Sequence, residues 1–63
     1  MIKVGDKIRI IDPFSVFYGE TLTVQDVKDG HFVSTTPAHP RGRCVCALQQ
    51  QGSYWVYVDN YMK

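Results

Sequence analysis

The sequence has no long apolar run, and its longest apolar stretches are far too short to cross a membrane as a helix. The first residues, 1–6, also lack the apolar segment of a secretory signal peptide. These two absences predict that the protein has no membrane partner. We therefore expect it to work in the cytoplasm.

The chain also has little net charge. Its formal net charge is +1 at pH 7, which is too small to predict nucleic-acid binding by itself. Acidic residues are nevertheless absent from residues 30–58, and residues 39–43 form a mildly basic patch within that stretch. The plainest interpretation of this patch is a solvated loop that carries a few charges.

The residue patterns of catalytic sites are missing as well. There is no glycine-rich phosphate loop, no serine in a nucleophile elbow and no pair of carboxylates at a convincing spacing. Asp26 and Asp29 flank a turn, where carboxylates accept backbone hydrogen bonds. We expect a protein that is not an enzyme and that has no catalytic residues and no cofactor.

Cysteines are few, and both lie close together. Cys44 and Cys46 are two positions apart, so they share one side of a strand, where a disulfide between them would be strained. His31 and His39 lie nearby in the sequence, but a Cys-x-Cys pair on a strand is a poor match to structural zinc sites. We interpret both cysteines as small buried residues in a reducing compartment and predict no metal site. His31 is expected to be an exposed strand residue.

What the sequence does contain is the alternation of β-strands. No window keeps the apolar repeat of a helix, whereas β-branched and aromatic residues alternate with polar ones between turn residues. This pattern predicts five strands in a single domain that spans residues 1–63. The predicted strands are residues 7–12, 20–28, 31–36, 43–49 and 54–58. Five short, strongly bent strands form a barrel more readily than an open sheet.

Alternation also predicts which side chains point inward. In the first two strands these are Ile8, Ile10, Leu22 and Val24. Val27 is out of phase with this set, which predicts a β-bulge near residues 25–26.

Two further features concern the turns and the fourth strand. Asp29 and Gly30 favour a tight hairpin with a type I′ turn, because both tolerate a positive φ. Residues 44–48 are apolar on both faces, which predicts a strand that is central or covered on both sides.

The first third of the chain resembles the KOW motif of ribosomal proteins and NusG-type transcription factors. That family has Gly-Asp before an alternating aliphatic strand and then a loop that ends in glycine. The positions that fit are Gly5, Asp6, Ile8, Ile10, Gly19 and Val24, whereas Leu22 stands where the family usually has a second glycine. The resemblance implies a small barrel and, as one alternative, RNA or DNA binding on a ribosome or a transcribing polymerase.

Residues 58–62 are similar to the end of SH3 and bacterial SH3 domains, with one residue fewer. In peptide-binding members a tyrosine at this end lines a groove with aromatics of the first long loop, which implies that Tyr61 lies beside Phe14, Phe17 or Tyr18. Both resemblances imply the same fold class, an all-β protein with a single five-stranded SH3-like barrel. We expect it to come from a bacterium or a phage.

The aromatic residues decide the functional prediction. In the fifth strand Trp55 and Tyr57 share one face, and they lie on the surface if the opposite valine face is inward. Alternatively, Trp55 and Phe14 cover the open end of the barrel. Exposed aromatic clusters usually mark a contact surface.

We therefore predict a non-catalytic module that binds a protein partner through an aromatic face. The residues of this face are Phe14, Phe17, Tyr18, Trp55, Tyr57 and Tyr61. The alternative is RNA or DNA binding, with Trp55 or Tyr57 stacked on a base and the phosphates bound by Lys7, Arg9, Arg41 and Arg43. A third hypothesis is self-association through an edge strand or the aromatic face.

Overall fold

The computed structural model describes residues 1–58, and within this range the chain is all-β. The strands are β1 (Lys7–Ile10), β2 (Thr21–Lys28), β3 (His31–Thr35), β4 (Cys44–Ala47) and β5 (Trp55–Tyr57). They form one antiparallel sheet in the order β4-β3-β2-β1-β5, which curls into an open half-barrel. The predicted all-β class and the five strands are confirmed. None of the helical structure in residues 1–58 is long and apolar enough to span a membrane.

The core lies inside the curl of the sheet. The alternating residues of β1 and β2 that were predicted to point inward, Ile8, Ile10, Leu22 and Val24, are all buried. Removal of such side chains from water is the main force that holds a small sheet in a curled shape. Within residues 1–58, the buried hydrophobic cluster consists of Ile2, Ile8, Ile10, Phe17, Leu22, Val24, Phe32, Cys44, Cys46 and Trp55.

The β2–β3 hairpin contains the predicted bulge but a different turn. The register shifts between Val24 and Asp26, which confirms the bulge. Lys28 pairs with His31 around a two-residue turn, in which Gly30 has a φ of +79°. No non-glycine residue in the described range has a positive φ, so Asp29 does not and the predicted type I′ turn is wrong. The signs of φ are those of a type II turn, which requires a positive value only at its second central residue.

β4 is an edge strand, so the prediction that it is central or covered on both sides is wrong. Among the residues that the structure describes, it pairs with β3 only. Val45 is 60% exposed on the outer face and lies directly opposite Val33 of β3. Such cross-strand pairs stabilise a sheet without burial on both sides. The chain then leaves the strand in a 3₁₀ turn, Leu48–Gln50, rather than continuing to residue 49.

The faces of β5 are the reverse of those predicted. Its register with β1 pairs Ile10 with Trp55 and Ile8 with Tyr57, and directly opposed residues of an antiparallel pair point to the same side. Trp55 therefore shares the inner face with Ile10 and is only 1% exposed. The expectation that Trp55 and Tyr57 lie on the surface is wrong, because the aromatic face of β5 completes the core.

Candidate binding surface

The loop that joins β1 to β2, residues 11–20, carries the two most exposed large apolar side chains within residues 5–58, those of Phe14 and Val16. We call it the aromatic loop. Phe14 is 94% exposed, Val16 78% and Tyr18 58%. Phe17 lies between them in the sequence but turns inward and is buried. Side chains two positions apart therefore point to solvent along the loop.

Short-range hydrogen bonds fix the backbone of the aromatic loop. Asp12 Oδ1 accepts a hydrogen bond from the Phe14 N–H at 3.0 Å, and Ser15 Oγ accepts one from the Phe17 N–H at 3.1 Å. These are the local turns that Asp and Ser side chains form with backbone groups two residues on, and Pro13 restricts φ between them. The exposed side chains are thus carried on a defined backbone.

Contacts with the rest of the protein hold the loop at its middle and at both ends. Tyr54 accepts a hydrogen bond from the Ile11 N–H through its carbonyl at 2.8 Å, and its hydroxyl lies 3.0 Å from Ser15 Oγ. At the far end the Gly19 N–H donates to the Ile10 carbonyl at 2.9 Å. Phe17 packs edge-on against His39, with ring centroids 5.1 Å apart. The loop is therefore docked on the half-barrel rather than extended from it.

Of the six aromatic residues predicted to form one face, five lie within the described residues, and these five do not share one surface. Phe14 and Tyr18 are exposed, Phe17 and Trp55 are buried, and Tyr57 is partly buried. Tyr61 lies outside the described residues. Within residues 1–58 the predicted face is therefore not a single exposed surface, and the part of it that faces solvent is the aromatic loop. The role of these residues in binding a partner stays a prediction. A search for aromatic residues misses Val16, which could have been found from the apolar alternation at positions 14, 16 and 18.

The predicted phosphate-binding cations lie largely on the outer face of the sheet. The register places Lys7 opposite Thr23, and Thr23 opposite Thr35. Ser34 of β3 pairs with Cys44 of β4, and the same antiparallel register continued by one residue brings Arg43 beside Thr35. Lys7, Arg9, Arg41 and Arg43 are all exposed. Lys7 and Arg9 share the outer side of β1, whereas Arg41 belongs to the loop between β3 and β4 and is not part of this row.

A shallow groove lies at the β4 end of this row. Its volume is about 500 Å³, and it is lined by Gln25, Asp26, Val33, Thr35 and Arg43. The bulge in β2 brings both Gln25 and Asp26 to its wall. Asp26 forms an ion pair with Lys28, with 3.0 Å between the Asp26 carboxylate and Lys28 Nζ. The groove therefore combines the guanidinium of Arg43 with a carboxylate that is already paired.

The two cysteines are free and buried, as predicted. Their sulfur atoms are 3.7 Å apart, and Cys44 Sγ lies 3.9 Å from the Tyr54 hydroxyl. Within residues 1–58 no group of three or more His, Cys, Asp or Glu side chains is placed to hold a metal ion. His31 is exposed, as expected.

Comparisons of this chain with protein-family models, with curated proteins and with solved structures found no match. The fold and the surface chemistry therefore define its class. It is a small all-β protein with an open half-barrel, a docked apolar loop and a cationic outer sheet face.

Proposed function

We propose that this protein is a non-catalytic binding module with an SH3-like barrel and that its aromatic loop binds a protein partner. The five antiparallel strands of one curled sheet support this barrel class. The observation that carries the functional proposal is the exposure of Phe14, Val16 and Tyr18 on a backbone held by Ser15 and Tyr54.

Burial of these side chains in a partner is energetically favourable. Full burial of one large apolar side chain contributes about 1.5–3 kcal/mol relative to exposure. Because hydrogen bonds already fix the loop, little conformational entropy remains to be lost on binding. The Tyr18 hydroxyl adds direction to an otherwise apolar contact.

The charges of the loop favour protein over nucleic acid. Residues 11–20 contain two carboxylates, Asp12 and Glu20, and no Lys or Arg. A phosphate backbone would be repelled by these carboxylates, whereas an apolar protein pocket with a neutral or basic rim would complement them. The partner's site is therefore expected to be apolar at its centre and not acidic at its edge.

Variants of the loop test this proposal. Tagged wild-type protein, a Phe14→Ser/Tyr18→Ser variant and a Val4→Ser control are incubated with nuclease-treated lysate of the source cells. Val4 is a matched control because it is 61% exposed and lies outside the loop. We expect a protein partner that wild type and Val4→Ser retain and that the double variant loses. Equal retention by all three proteins would contradict the proposal.

The outer sheet face supports a second candidate, the binding of single-stranded RNA or DNA. Lys7 and Arg43 stand at opposite ends of a row that also contains two threonine hydroxyls, Thr23 and Thr35. Arg9 lies two residues from Lys7 on the same side of β1. Cations spaced across a sheet face are suited to successive phosphates.

Salt dependence separates the two candidates. If the sheet face binds single-stranded RNA, affinity falls steeply with salt, and Lys7→Ala or Arg43→Ala each reduces the slope of log K against log salt by roughly 1. Phe14→Ser leaves this binding unchanged. Fluorescence anisotropy with a labelled oligonucleotide measures both quantities. If Lys7→Ala and Arg43→Ala leave both the affinity and its salt dependence unchanged, the nucleic-acid candidate is excluded.

A further inference from the structure

Cys44 and Cys46 form a close dithiol on the inner face of β4. They lie opposite Ser34 and Phe32 of β3, respectively, with a sulfur–sulfur distance of 3.7 Å. Cys44 is 3% exposed and Cys46 is 0% exposed. Neither the protein-binding nor the nucleic-acid candidate uses these thiols.

The two thiols differ in acidity because of their contact. The Cys46 S–H can donate to the Cys44 sulfur, which lowers the pKa of Cys44 from 9.0 to about 7 although burial opposes the change, and the Tyr54 hydroxyl assists. The same contact and burial raise the pKa of Cys46. One sulfur is therefore prepared to lose its proton first, and its neighbour retains one.

We propose that Cys44 and Cys46 form a redox-active dithiol that hydrogen peroxide oxidises to an intramolecular disulfide. The Cys44 thiolate attacks the peroxide oxygen, the O–O bond breaks, and Cys44 becomes a sulfenic acid as hydroxide leaves and takes up a proton to form water. Cys46 then loses its proton and attacks the Cys44 sulfur, which releases the sulfenic oxygen as a second water. Both sulfurs together lose two electrons, and hydrogen peroxide gains them.

The position of the pair in an edge strand permits this step. The sulfur–sulfur distance must shorten from 3.7 Å to a bond of about 2.0 Å, and residues two apart in an extended strand lie near the upper limit of Cα separation for a disulfide. β4 must therefore bend. It is four residues long and, among the described residues, pairs with β3 alone, so bending disturbs one ladder and the hydrogen bond from the Trp55 indole to the Ala47 carbonyl. A disulfide under this constraint is readily reduced again.

Oxidation of the cysteines would also change a contact that holds the aromatic loop. Cys44 Sγ lies 3.9 Å from the Tyr54 hydroxyl, which in turn lies 3.0 Å from Ser15 Oγ. Movement of the Cys44 sulfur toward Cys46 removes one partner of the hydroxyl that holds the loop. The oxidation itself does not depend on what the loop binds.

Peroxide treatment of the folded full-length protein tests the proposal. The protein is incubated with hydrogen peroxide in buffer without denaturant, and the peroxide is removed with catalase. The thiols that remain are then alkylated with N-ethylmaleimide in denaturant, before intact-mass analysis and non-reducing peptide mapping. We expect the loss of two hydrogen atoms, the loss of both alkylatable thiols and a peptide that contains a Cys44–Cys46 bond. Retention of two maleimide adducts would overturn the proposal, as would oxidation that requires urea or that yields only covalent dimers.

Single variants assign the two roles. Cys46→Ser, whose hydroxyl can still donate to the Cys44 sulfur, should stop at a Cys44 sulfenic acid, which dimedone traps, whereas Cys44→Ser should give no trapped adduct under the same conditions. Trapping of equal extent in both variants would contradict the assignment of Cys44 as the attacking thiol. Circular dichroism establishes that each variant is folded, and the wild-type mass measurement decides the disulfide if either variant is not.

Discussion

Trp55 connects β5 with β4, which are the two outermost strands of the half-barrel in the described part of the chain. It belongs to β5, packs edge-on against Phe32 of β3 with ring centroids 4.9 Å apart, and donates its indole N–H to the Ala47 carbonyl of β4 at 2.9 Å. The alternation in β5 predicts that Trp55 and Val56 lie on opposite faces, but both are apolar, so it does not determine which face is inside. Only pairing with Ile10 decides this.

Replacement of Trp55 should therefore lower the stability of the protein more than replacement of an exposed strand residue would. Trp55→Phe removes the hydrogen bond to Ala47 and should lower the free energy of unfolding by about 1 kcal/mol for that bond alone. Trp55→Ala removes a buried aromatic side chain and should lower it by about 3–5 kcal/mol, which is enough to unfold a marginally stable domain of this size. Urea denaturation followed by circular dichroism measures both changes.

The control for Trp55 is Val16→Ala, because Val16 is 78% exposed in the aromatic loop. Its effect on the free energy of unfolding should stay within roughly 0.5 kcal/mol, as for most surface positions. A Trp55→Ala protein as stable as Val16→Ala would contradict the core position of Trp55.

Tyr57 gives a prediction for alkaline pH. Burial, with a further contribution from the charge of Asp6, raises the pKa of Tyr57 above its ordinary value of 10.0. The folded state therefore holds this proton more tightly than the unfolded chain does. Its contribution to stability is complete below pH about 10 and is lost as pH rises through the higher folded-state pKa.

Urea midpoints measured from neutral pH to above pH about 10 should fall less steeply for Tyr57→Phe than for wild type, because phenylalanine has no proton to lose. The lysines and the other tyrosines titrate in both proteins, so their contributions to the pH dependence of stability cancel in the comparison. Identical curves for the two proteins would contradict a raised pKa at Tyr57.

At the scale of elements, sequence patterns predicted the strands better than their arrangement. The alternation in β1 and β2 and the phase shift at Val27 predicted the inner residues and the bulge, because both depend on the two-residue repeat of a single strand. The edge position of β4 could not be predicted from residues 44–48. An apolar outer residue such as Val45 packs as well against Val33 on an open face as it would under a covering layer.

The candidate site could also be predicted only in part: its residues could be named, but not their arrangement. The content of the aromatic loop is visible in the sequence, but its order depends on Ser15 and Tyr54, which are far apart in the chain and meet only in the folded protein. Sequence distance likewise concealed that Lys7 and Arg43 belong to one row.

Ser15 tests whether the aromatic loop is held as an element. Ser15→Ala removes the acceptor of the Phe17 N–H and the contact with the Tyr54 hydroxyl, and it should lower the free energy of unfolding by about 1 kcal/mol. Hydrogen exchange should become faster at the Phe17 amide, while the strand amides keep their relative protection.

Ser53→Ala is the matched control, because Ser53 is exposed and its hydroxyl donates only to the nearby Gln50 carbonyl in the described structure. It should leave exchange at Phe17 unchanged. Equal exchange at Phe17 in wild type and Ser15→Ala would show that the loop is held by other contacts.

At the scale of the whole molecule, two surfaces of different chemistry lie on one small half-barrel. The aromatic loop is apolar and flanked by carboxylates, whereas the outer sheet face carries Lys7, Arg9 and Arg43. The net charge of the whole chain, +1, does not show that the carboxylates and the cations lie on different surfaces, because it is a sum over both. The two surfaces are suited to different ligands, and the loop is the one that a protein partner would bury.

Site-specific photo-crosslinking in the source cells tests this central claim most directly. A photoreactive phenylalanine analogue is placed at Phe14, at Tyr18 or, as a control on the outer sheet face, at Val45, and the adducts are separated after nuclease treatment. We predict that a protein adduct of the same mass forms from positions 14 and 18 and not from position 45. Adducts that form from position 45 alone, or none from the aromatic loop while the variants remain folded, would contradict the claim that this loop is the protein-binding surface.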